Sequence, residues 1–148
     1  MFDRLIQRLT GAEPDTAEDK APADRVAIAA VLVNAAMADG VYLDAEKATI
    51  QQILAERFGL SDADAQDLLA EGEEAHAGAT DLVRFTRVLK DTIPFEERVG
   101  VIEAVWRVIY ADQDRDAYEA NLVRRLCGLL YVPDREAGLA RQRVTGES

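Results

Sequence analysis

A chain of 148 residues with a 49% hydrophobic fraction is long enough to bury one core and too short to be split into several. Its 28 acidic residues against 17 basic ones leave a formal net charge of -11, which disfavours phosphate backbones and anionic membrane surfaces and favours divalent cations or basic partner surfaces. The single cysteine, Cys127, excludes an intrachain disulfide, and with only one histidine, His76, a zinc site built from His and Cys is all but excluded.

Residues 1–10, MFDRLIQRLT, put Phe2, Leu5, Ile6 and Leu9 on one helical face. Residues 11–20 are polar, hold a Pro and a Gly, and read as a flexible linker. The opening helix is expected to dock on the core or fray, with partner binding or a surface-lying role as alternatives. The domain proper is expected over residues 21–148.

From Ala23 a helical pattern runs through Val26, Ala29, Ala30, Val33 and Met37 and stops at Ala38-Asp39-Gly40, where Gly tolerates left-handed backbone angles. Asp44 or its neighbour caps a second helix to about Phe58, with Ala45, Ile50, Ile53, Leu54 and Phe58 inward and Gly59 as its stop. Ser61 caps a third to about Ala77, with Asp62 and Asp64 suited to the positive end of the helix. Asp81 to Thr92 forms a fourth. Pro94 breaks it and opens a fifth to about Ala111, whose Trp106 and Tyr110 belong to the core. A sixth runs from Asp116 to about Tyr131, and a short seventh from Pro133 and Asp134 to near Arg141. No segment alternates with a period of two, so no sheet is expected. No apolar run reaches the length of a signal peptide or a membrane span, and a cytoplasmic location is expected.

The most informative feature is an internal repeat. Shifted by about 73 residues, the segment after Val26 falls on the segment after Val99, without a gap over about 35 residues. Asp39 falls on Asp112, Glu46 on Glu119, Ile50 on Val123, Ile53 on Leu126 and Phe58 on Tyr131. Apolar matches come cheaply between amphipathic helices. The acidic matches are more specific, because both copies keep an Asp, six residues, then a Glu across a helix-to-helix elbow. A pseudo-twofold axis between the copies would bring the elbows to related, even shared, positions.

Asp39 and Asp112 lie at helix C-termini, where the helix dipole opposes a carboxylate by a few tenths to about 1 kcal/mol. A hard cation such as Ca²⁺ or Mg²⁺ would offset that repulsion, and so would a Lys or Arg of the chain. Helix termination alone also accounts for these residues: Asp-Gly is a common turn, Asp44 and Asp116 suit N-caps, and Asp116 with Glu119 suits a capping box. An EF-hand fails on detail. Asp112, Asp114 and Asp116 alternate correctly, but Ala117 stands where Gly is needed and Val123 where a bidentate Glu is needed.

With both elbows in view, the chain resembles the TerB-like family, named for tellurite-resistance proteins. The resemblance rests on Ala35-Ala36-Met37-Ala38-Asp39-Gly40 with Asp44 and Glu46, on Val108-Ile109-Tyr110-Ala111-Asp112 with Asp116 and Glu119, and on the tail from Val132 to Val144. It covers about residues 24–144. It implies an all-α, single-domain bundle of about seven helices with two pseudo-symmetric halves. It further implies a non-enzymatic role near metal or tellurite stress, with a cation-binding surface of Asp39, Asp44, Glu46, Asp112, Asp116 and Glu119. Copy two carries Gln113 where copy one has Gly40, so the elbows are not identical. The family also includes domains fused to co-chaperone modules, which makes a metal-free interaction module the alternative. The expected counterparts are a divalent cation, Ca or Mg before Zn, and a protein partner, free or membrane-associated, with no nucleic acid.

His76, among Glu71, Glu73 and Glu74, is expected to be a solvated helix-end histidine rather than a metal ligand. Cys127 falls on Leu54 in the repeat and is expected in the core. No Ser-His-Asp set, phosphate-cradling glycine loop or Cys-His pair is present, so no catalytic residue is expected, with a hydrolase using the clustered carboxylates and a metal as the minor alternative.

Overall fold

The computed structural model describes residues 22–38, 40–78, 82–111 and 117–146, with the backbone alone for residues 117–120. Among the described residues the chain is all-helical, with seven helices: α1 (Ala23–Ala36), α2 (Asp44–Phe58), α3 (Asp62–Ala77), α4 (Leu82–Thr92), α5 (Phe95–Ala111), α6 (Ala117–Leu130) and α7 (Asp134–Thr145). The helix expected over residues 1–10 and the linker over residues 11–20 lie outside the described residues.

Two helices carry the core. In α1 every residue from Ala27 to Val33 is buried, as are Ala35 and Ala36. A helix apolar on all sides cannot lie on a surface. Accordingly α1 is surrounded by α2, α3, α4 and α5. The second, α5, buries Val101, Ile102, Val105, Val108 and Ile109 and packs on α1, α2, α6 and α7. Arg141 of α7 closes this side: its Nε donates to the Tyr110 hydroxyl at 2.7 Å and its guanidinium lies 5.3 Å over the buried Trp106 ring. Tyr110 itself is only half-buried.

The helix boundaries follow local chemistry. Ser61 Oγ accepts the backbone N–H of Asp64 at 3.2 Å, one of the donors a helix start leaves without a partner. Gly59 ends α2 at φ 63°, and Pro94 and Pro133 precede α5 and α7.

Four details differ from the expectations. Met37 continues the apolar repeat of α1 but stands 40% exposed, because the helix ends at Ala36 and the chain turns away. Ala45 is exposed while Glu46 is buried at 2%, so the first turn of α2 presents a carboxylate inward where an apolar residue was expected. Tyr131 is 65% exposed at φ 58°, one residue past the end of α6, whereas its repeat partner Phe58 is half-buried inside α2. The turn after α6 thus comes one residue earlier than the turn after α2. Finally, α7 runs on past Arg141 to Thr145. Before the turn, Ile50 and Val123, Ile53 and Leu126, and Leu54 and Cys127 are buried pair by pair.

Cys127 is 3% exposed, and burial, with a smaller contribution from Asp134, pushes its thiol up to about 11 from an ordinary value near 9. The folded chain keeps this proton where the unfolded chain has lost it. The resulting stability is therefore complete below about pH 9 and is lost as the pH rises from 9 to 11. Urea unfolding at pH 8 and pH 10 is expected to show an alkaline loss about 1.4 kcal/mol larger in the native chain than in Cys127→Ala.

Candidate functional site

The first elbow is a tight reversal. Met37 N–H closes on Val33 O at 3.0 Å, Gly40 N–H closes on Met37 O at 3.0 Å, and Gly40 takes φ 85°. Asp39 lies outside the described residues. Leu43 then occupies the N-cap of α2. It has no side-chain acceptor, so only the reciprocal half of a capping box forms: Glu46 Oε1 accepts the Leu43 N–H at 2.8 Å. Asp44 is exposed in the same first turn, where the helix dipole favours it. Two residues apart on a helix, Asp44 and Glu46 do not share a face, and the fold sends one outward and the other inward.

The elbow is tied to α3. Tyr42 donates its hydroxyl to Glu73 Oε2 at 2.6 Å, and Lys47 Nζ lies 4.8 Å from the Tyr42 ring centre. Burial, then the bond to Glu73, raise the Tyr42 phenol well above its ordinary value. The hydroxyl therefore remains a donor throughout the physiological range.

Beside this elbow a cleft of about 440 Å³ opens between α1, α3 and α6. Its polar wall is Asn34, His76, Asn121 and Arg125, with Leu82 and Leu122 as the apolar part. Ala38, the residue before Asp39, lines it from the first elbow, and Asn121, two residues after Glu119, lines it from α6. The chain neighbours of two expected site residues thus border one space. Asp112 and Asp116, and the side chain of Glu119, lie outside what is described. Of the six expected acids, Asp44 and Glu46 are the described ones. Among the described residues no three of His, Cys, Asp and Glu stand close enough to hold a metal.

His76 is not simply solvated. It is half-buried, and Asn34 Nδ2 lies 3.2 Å from its Nε2, a hydrogen bond when the ring proton is on Nδ1. Sequence reasoning missed Asn34, Tyr42 and Glu73 as partners at this site. The signal for Asn34 was present: it is the one amide in a helix otherwise apolar from Val26 to Ala36.

These features define a small helical module whose polar cleft lies where a helix-to-helix elbow meets a later helix. No helix among the described residues is long and apolar enough to cross a membrane. The sequence profile described as tellurite resistance protein TerB matches residues 25–142, and the chain belongs to the TerB family. That family is not known as one of enzymes. Searches among curated proteins and solved structures found no match.

Proposed function

We propose that this TerB domain binds a divalent cation, Ca²⁺ or Mg²⁺ before Zn²⁺, through the acidic residues of its two elbows, and that it serves in metal or tellurite stress. The observation that carries this reading is the shared cleft: Ala38 and Asn121, neighbours in the chain of Asp39 and Glu119, line it together. The donor chemistry fits. Asp39, Asp44, Glu46, Asp112, Asp116 and Glu119 offer only carboxylate oxygens, the ligands of a hard cation, while the chain has a single His and a single Cys for a softer one. A net charge of -11 favours cation approach.

Chelator-treated protein melted with and without millimolar Ca²⁺ or Mg²⁺ tests the reading. At a concentration 100 times the dissociation constant, linkage adds about 2.7 kcal/mol, which for this size of domain is roughly 5–10 °C. The double variant Asp39→Asn with Asp112→Asn is expected to lose the shift. An unchanged melting curve of the native chain would contradict the reading.

One observation favours a second reading, a metal-free scaffold or co-chaperone-like interaction module. Met37, Val41 and Leu43 stand 40%, 50% and 40% exposed around the first elbow, an apolar group that would seat a partner.

A further inference from the structure

A second cleft, of about 470 Å³, lies on another side of the bundle, between α1, α3 and α4. Its lining includes Ala23, Val26, Phe85 and Val88 as apolar surface, with Glu71 and Glu74 on one rim and Arg84 on the other. We propose that this cleft is the seat of the chain's own opening segment, residues 2–9. Three observations select this occupant. The spacing of Phe2, Leu5, Ile6 and Leu9 would put all four on one face of a helix, matching the cleft's apolar lining. Arg8 and Asp3 flank that face on opposite sides, so Arg8 matches the rim of Glu71 and Glu74 while Asp3 is available to Arg84. Reach is the third. Ala23, the first residue of α1, itself lines the cleft. The connection from Thr10 to Ala21 extends at most about 40 Å, so the segment is held at an effective concentration of order millimolar.

A separate protein or a second copy would have to compete with that tethered concentration. An anionic membrane would have to overcome the charge of the rest of the chain. The docking is independent of the cation reading, because this cleft and the elbow cleft have no lining residue in common.

The test uses the full chain as Cys127→Ala with Gln7→Cys, a nitroxide attached at the new thiol, and backbone amide spectra. Position 7 lies off the apolar face, so the label leaves the contact intact. The amides of Val26, Ala75, Phe85 and Val88 are expected to broaden strongly at every protein concentration, while those of α7 stay sharp. Adding Ile6→Asp is expected to abolish the broadening. With Cys127 restored, deletion of residues 1–20 is expected to shift the amides of this cleft and leave those of α7 in place. Broadening that spreads evenly, centres on the first elbow, or grows with protein concentration as for a second copy would overturn the proposal. So would deletion shifts scattered over the bundle.

Discussion

Gly72→Ala is expected to lower the unfolding free energy by about 3 kcal/mol, with a drop in melting temperature of roughly 6–12 °C. Position 72 lies in the middle of α3, where Ala would ordinarily strengthen a helix. Here the added methyl would sit 2.5 Å from Ala29 Cβ and 2.9 Å from the Ala29 carbonyl carbon. Neither neighbour is the far end of a flexible side chain, so α1 and α3 must separate. α1 is the central helix, held on its other sides by α2, α4 and α5. Thermal unfolding by circular dichroism checks the expectation, and a variant as stable as the native chain would show that the two helices are not in such close contact.

Arg98→Met is expected to cost about 3 kcal/mol, because two hydrogen bonds from a charged donor are lost at once. Arg98 Nε donates to Leu130 O at 2.8 Å, and one terminal guanidinium nitrogen donates to Ile93 O at 2.8 Å. Leu130 closes α6 and Ile93 follows the last residue of α4. These are C-terminal carbonyls that no further helical turn can satisfy, at the end of a helix that favours a cation. One planar side chain thus caps two helices. Met keeps the stem and removes the donors. Arg98→Lys is expected to recover less than half of the loss, since a single ammonium lacks the rigid fork that spans both carbonyls. Urea unfolding with an unchanged denaturant slope is the measurement.

What could be read from the sequence divides along a physical line. Ser61, Gly59, Pro94 and Pro133 act on residues a few positions away, so the helix boundaries they set were legible and agree with the structure. The all-helical class and the family followed from short motifs in fixed order. Facing directions set by distant helices were not legible. Periodicity predicts one inward stripe on α1, whereas the helix is buried all round because four others surround it. At the start of α2, periodicity favoured Ala45 as the inward residue. The backbone's need for an acceptor at Leu43 turned Glu46 inward instead. Gly72 reads as an ordinary residue in an acidic helix, and only the approach of Ala29, far off in the chain, gives it a role. The same distance hid the pairing of Asn34 with His76, 42 positions on, and of Tyr42 with Glu73, 31 positions on.

For the site itself, the sequence named six carboxylates, and the structure describes two of them. Asp44 faces solvent and Glu46 is spent partly on holding the start of its own helix. A cation site that uses both elbows would therefore depend most on Asp39, Asp112, Asp116 and Glu119; Ala38, next to Asp39, and Asn121, two residues after Glu119, line the polar cleft. The cleft also holds Arg125, a positive charge that would oppose a cation bound there.

Isothermal titration of metal-free protein with Ca²⁺ tests the shared site most directly. The account predicts saturation at one ion per chain, abolished by Asp39→Asn alone and by Asp112→Asn alone, because each elbow supplies part of a single site. Two independent ions, each lost with a different substitution, or no heat of binding at all, would contradict it.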